Sequence, residues 1–125
     1  MSINRCEDLI VWQKAMDLTE EIYRLVKFLP REETYALSDQ MRRAVISIPS
    51  NIAEGQGRNS NKEFANFLSI ARGSLAELKT QLQICLRLKY LSESESEYAL
   101  NLCIEIYKIL NTFISKLRSK IPANS

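Results

Sequence analysis

Between Phe64 and Cys85 the apolar residues Phe64, Leu68, Ala71, Leu75, Leu78, Leu82 and Cys85 advance by alternating steps of four and three. Those steps hold one side of an α-helix inward for about six turns. A helix with a single long apolar stripe cannot bury it alone, so the chain needs further helices of the same kind. It supplies them. The first segment carries Leu9, Trp12, Met16, Thr19, Tyr23 and Val26 at helical steps, and Pro30 closes it by pushing Leu29 out of the helical region. The second carries Leu37, Met41, Val45, Ile48 and Ile52. The last carries Leu102, Ile106, Ile109 and Phe113, widened by Cys103, Leu110 and Leu117.

Two capping boxes are expected, Ser60 with Glu63 and Ser94 with Glu97, each pairing a serine oxygen with a glutamate three residues on. Period-two alternation is absent, so no sheet is expected. The expected fold is all-α, an antiparallel up-and-down four-helix bundle. Its helices lie at about 8–28, 34–56, 60–90 and 94–118 in a single domain spanning 1–125. The connection at 57–60 is very short, which makes the second and third helices antiparallel neighbours. A chain of 125 residues is long enough for one real core, and no proline-, glycine- or serine-rich linker divides it.

The stretch SIPSNIAEGQGR, residues 47–58, is the one with catalytic overtones. The apolar stripe runs unbroken past Pro49, so one helix with a kink is expected, with Ser47, Ser50 or a water satisfying nearby backbone groups. Gly55 and Gly57 read as C-terminal caps able to take positive φ. A phosphate loop has the opposite polarity, with glycines leading into a helix and a Lys-Ser/Thr following. An anion could still sit at the next helix start, where Arg58 and Lys62 flank Ser60. Asn51 and Glu54 read as helix-end polar groups pairing with Arg43 or with backbone, against a reading as a polar pair facing a pore or ligand.

The chain has no histidine. That removes Ser-His-Asp, Cys-His and Glu-x-x-His di-iron chemistry, and no other residue set has catalytic spacing. No enzyme activity, metal or cofactor is expected. Cys6, Cys85 and Cys103 are odd in number and widely spaced, which suits buried reduced thiols. The N-terminus has no apolar run of signal-peptide type, and every apolar run is too short to cross a membrane, so a cytoplasmic protein without a membrane partner is expected.

Charge is more informative locally than in total. The net charge is +2, but residues 1–40 carry five basic and eight acidic groups, and residues 58–91 carry six basic and two acidic. On a helical wheel Lys62, Arg72, Lys79 and Arg87 fall within an arc of about 100° beside the core stripe, and Glu63 and Glu77 fall on the other flank. With Arg58, these make a candidate nucleic-acid edge; a solvated face is the alternative. The same edge carries the small residues Ala65, Ser69, Gly73, Ala76 and Thr80. A glycine inside a helix costs about 1 kcal/mol against alanine, so close approach by another helix is expected at Gly73. Ile46, near Ala53, and the line Ile70, Ile84 and Leu88 lie off the core stripes. With Gly73 they are the candidate oligomer interface.

LSDQMRRAVISIPSNIAEGQGR followed by EFANFLSIARGSLAELKTQL resembles the four-helix-bundle family encoded by intervening sequences in bacterial large-subunit rRNA genes, also labelled as a ribosomal protein family. DLIVWQKAMDLTEEIYRL resembles that family's first helix, so the likeness covers about residues 7–117. The resemblance implies a small bacterial bundle protein forming a ring-like homopentamer. More distantly, the chain resembles the accessory protein of diversity-generating retroelements, a basic pentamer that binds nucleic acid and a reverse transcriptase. The family brings no catalytic residues. The resulting expectation is a non-enzymatic homo-oligomeric bundle contacting RNA or DNA; the alternative is a protein-protein scaffold with no nucleic-acid binding.

Overall fold

The computed structural model describes residues 9–123. Four helices make up the fold: α1 (Ile10–Leu25), α2 (Leu37–Gln56), α3 (Asn61–Arg87) and α4 (Glu93–Ser119), with single 3-10 turns at Val26–Phe28 and Arg31–Glu33 between α1 and α2. Each helix packs on its neighbours in sequence, and α1 on α4 closes the ring. Contacts between opposite ends show the antiparallel order. Met41, early in α2, meets Cys85, late in α3, with the sulfurs 3.7 Å apart. Arg118, late in α4, donates to Ser69, early in α3. The chain is therefore the expected all-α bundle. Among the described residues no helix is long and apolar enough to cross a membrane.

The core stripes of α2 and α3 match the expected ones, with Met41, Val45, Ile48 and Ile52 facing Leu68, Ala71, Leu75, Leu78 and Leu82, all buried. α1 differs. Its buried line is Val11, Ala15, Leu18, Ile22 and Leu25, whereas Met16 and Tyr23 from the expected line are 38% and 40% exposed and Trp12 is half-buried. Both lines step by three and four, so spacing cannot choose between them. The compact aliphatic line takes the interior and the bulky line turns to a flank. On α4, Ile109 and Phe113 are only partly buried and Ile114 takes an interior place instead.

The helix ends differ in informative ways. The expected start at residue 8 lies outside the described residues. α1 tightens at Val26 and stops where Leu29 becomes extended before Pro30, with ψ 151°. At α3, Ser60 Oγ accepts from the Glu63 N–H. At α4 the capping box is Ser92 with Glu95, two residues before the expected Ser94 and Glu97. Buried Leu91 and Ser96 hold that turn, and Ser96 returns its hydroxyl to the Ser92 carbonyl. α3 ends with Tyr90 N–H on the Cys85 carbonyl and Lys89 N–H on the Leu86 carbonyl. This is a Schellman closure, with Lys89 at φ 63° where glycine is usual.

α2 continues through Pro49, whose ring is buried. The polar tie beside it is Asn51, which donates to both the carbonyl and the hydroxyl of Ser47. Ser47 Oγ in turn lies 2.8 Å from Ser74 Oγ on α3. Neither glycine after it takes positive φ. Gly57 ends α2 in right-handed geometry, and Gly55 sits inside the helix. A Cβ on Gly55 would stand 2.8 Å from Phe67 Cβ and 3.2 Å from the Phe64 carbonyl. A Cβ on Gly73 would meet nothing within 4 Å. Within the bundle, the glycine that permits close approach is therefore Gly55 and not Gly73.

These two glycines should respond oppositely to alanine. Gly55→Ala should lower stability in urea unfolding by about 1–3 kcal/mol, because α3 must move. Gly73→Ala should raise it by about 0.5–1 kcal/mol through helix propensity.

Candidate nucleic-acid interface

The small side chains on one flank of α3 leave a groove against α4. Ala76 and Thr80 line it on one side, Ile104 and Tyr107 on the other, with Lys79 and Lys108 at its edges, and its volume is about 510 Å³. Further along, the Arg72 guanidinium donates to Asn111 Oδ1 at 2.8 Å, and Arg118 donates to Ser69 Oγ at 3.0 Å. Both partners are neutral. They fix the two guanidinium groups across the helix pair without cancelling their charge.

Among the described residues the ion pairs are Lys14–Glu105, Arg24–Glu21, Arg42–Asp39, Arg43–Asp39 and Arg58–Glu54. Arg72, Lys79, Lys108 and Arg118 take part in none of them. At the opposite end of the α3–α4 face a second hollow of about 610 Å³ is lined by Glu93 and Glu97, with Arg87 exposed on α3 at the same end. The glutamates are therefore confined to one end of the face, and the cations are spread along it.

The family model of the 23S rRNA-intervening sequence protein matches residues 7–112. The chain belongs to that family. Among solved structures it is similar to a protein of unknown function of the S23 ribosomal protein family from Bacteroides thetaiotaomicron VPI-5482, with 31% identity and a TM-score of 0.78. That likeness covers 84% of this chain and 98% of the other. No curated protein matches.

In this family member, the sequence-nominated cations divide. Arg72 and Lys79 come together on the α3–α4 face. Arg58 is drawn off to the α2–α3 corner, where it pairs with Glu54 at 3.1 Å and its guanidinium carbon lies 4.8 Å from the Phe67 ring centre. Lys62 is exposed in the first turn of α3 and Arg87 in the last, at opposite ends of the helix. Lys108 and Arg118 complete the face but belong to α4, so a wheel drawn for α3 alone leaves them out. The register between α3 and α4 was needed to find them. Of the partners expected for Asn51 and Glu54, Arg43 serves neither, since it holds Asp39 at 2.9 Å one turn away, whereas Asn51 does take a backbone carbonyl, that of Ser47, and Glu54 takes Arg58.

The candidate interface residues fall on separate surfaces. Ile46 is 43% exposed on α2, with Ala53 half-buried on the same flank. Ile70, Ile84 and Leu88 are exposed on the Ser74 side of α3, away from Arg72 and Lys79. Gly73 is exposed on the outer surface.

Cys85 and Cys103 are buried and free, and Cys6 lies outside the described residues. Burial pushes the Cys85 thiol up to about 11, helped by the Glu33 charge. Burial pushes Cys103 up to about 12 against the opposing charge of Lys79. Neither is a thiolate at neutral pH, so neither is an activated nucleophile. Among the described residues no group of three or more Cys, Asp or Glu is placed to hold a metal.

Both thiols should resist a disulfide-exchange reagent at pH 8 in the folded protein and react at once in denaturant. Folding keeps them protonated, so above the ordinary thiol value of 9.0 the unfolded chain loses protons first. Their contribution to stability should therefore fall as pH rises from 9 toward those higher values, and replacing both by alanine should flatten that part of a pH–stability curve.

Proposed function

We propose that this protein works by binding, without catalysis, and that the α3–α4 face contacts the phosphates of nucleic acid. The carrying observation is the set of Arg72, Lys79, Lys108 and Arg118 on one face, none paired with a carboxylate among the described residues. A row of uncompensated cations fixed by neutral hydrogen bonds suits a polyanion, which releases counterions when it binds. Chain chemistry supports the non-catalytic part: histidine is absent, and Cys85 and Cys103 are held protonated.

Four phosphate contacts on duplex DNA correspond to a slope of log affinity against log salt of about −3.6. Fluorescence anisotropy over a salt series should give a slope of this order. The double variant Arg72→Glu/Lys79→Glu should lose most binding at low salt while keeping its helical circular dichroism. Unchanged affinity in that variant would remove the reading.

A second reading, self-association, is favoured by a different surface. Lys14 reaches Glu105 on α4, so the α1 flank beyond the core stripe, with Trp12, Met16 and Tyr23, faces the α2 side. Ile46 and Ala53 lie on the outer side of α2. Together they make an exposed apolar face on α1 and α2, and Ile70, Ile84 and Leu88 make another on α3. Two unlike apolar faces suit a head-to-tail contact, which closes into a ring such as the pentamer that the family resemblance implies. Ile46→Asp should then reduce the mass seen by light scattering to that of a smaller species. A protein that assembles through these faces, or holds a protein partner on them, and binds no nucleic acid at low salt would be a scaffold.

A further inference from the structure

We propose that the groove between α3 and α4 takes an unpaired nucleic-acid strand, with a base lying on the ring of Tyr107 and the neighbouring phosphates on Lys79 and Lys108. This rests on the nucleic-acid reading above and narrows it to single strands.

Tyr107 lines the groove yet is 49% exposed, and its hydroxyl forms no hydrogen bond among the described residues. Ile104 beside it is 44% exposed. An aromatic ring left open in a groove that two lysines also line is the arrangement of a stacking platform in a cationic channel. The ring face can be used only by a base whose own face is free, and a paired base in a helix has both faces covered. The α3 wall includes Ala76 and Thr80 beside Leu75 and Lys79, and the small pair leaves room for a flat ring edge-on. The Arg72 and Arg118 sites continue the cation row. From Ser69, which holds Arg118, to Lys79 the row runs about 15 Å along α3. A single small anion would need one cationic end, whereas a row of cations along an apolar floor matches a chain of phosphates with bases attached.

The test uses the whole protein and two labelled probes of equal nucleotide count, an oligothymidine and a self-complementary hairpin closed by a linker that carries no bases. Tyr107 is exposed, so Tyr107→Ala and Tyr107→Phe should both fold, which circular dichroism checks. The wild type should bind oligothymidine more tightly than the hairpin. Tyr107→Ala should lose about tenfold in oligothymidine affinity. Tyr107→Phe should retain it, and hairpin affinity should not change in either variant. If the hairpin binds as well or better and Tyr107→Ala changes nothing, the strand proposal is overturned while the phosphate-contact reading stands. If neither probe binds at low salt, both fall. Loss of oligothymidine binding in Tyr107→Phe as well as in Tyr107→Ala would also overturn stacking.

Discussion

The contact between Gly55 and the start of α3 sets the conditions for the rest of the bundle. With no Cβ at Gly55, the backbone around Phe64 and Phe67 can lie against the last turns of α2. The brief connection between Gln56 and Asn61 fits the close approach of the two helices there. Met41 and Cys85 continue the same seam at its other end, and Ser47 with Ser74 ties its middle. Phe64 then turns its ring toward α4, 5.1 Å between centres with Phe113, edge to face. Fixing one flank of α3 on α2 in this way leaves the opposite flank to face α4.

That opposite flank shows how polar side chains can join helices without neutralising them. A salt bridge between Arg72 and a carboxylate would bring α3 and α4 together equally well but would leave no charge to offer outward. Asn111 and Ser69 accept the guanidinium hydrogens and remain neutral. Across the bundle, where α1 meets α4, Lys14 is instead paired with Glu105, and the hydrogen bond and charge of that carboxylate raise the lysine's affinity for its proton. The two seams of α4 thus have different electrical characters, one closed by an ion pair and one left positive.

Much of this was legible in the sequence, because a single apolar stripe admits little choice. α3 has one, and its buried residues were readable almost one by one. α1 has two lines at the same spacing, and only the neighbours decide which is covered, so spacing alone puts Met16 and Tyr23 on the wrong side. Glycines were misleading for a related reason. A Gly-x-Gly at a helix end suggests positive φ, but Gly55 is needed for the space its missing side chain leaves, and among the described residues the left-handed one is Lys89. Serine-rich SESES offers several registers for a capping box, and burial of Leu91 selects Ser92. The basic face was half visible, since Arg72 and Lys79 share one helix. Lys108 and Arg118 join them only through the antiparallel register of α4.

The uneven charge along the α3–α4 face has a consequence for encounter as well as for contact. Cations spread along the face, with Glu93 and Glu97 at one end only, leave the charge uneven along the bundle axis even with Arg87 beside those glutamates. Near a polyanion such a molecule experiences a torque before any atoms touch, because the field acts over a screening length of about 8 Å in physiological salt. If the proposed binding to nucleic acid holds, the molecule would arrive already turned, with its more basic end leading, and fewer collisions would be wasted on the wrong orientation. Helices also have their own dipoles, but in an antiparallel bundle these largely oppose one another. The orientation is left to the side chains, and a few reversed charges would be enough to turn the molecule around.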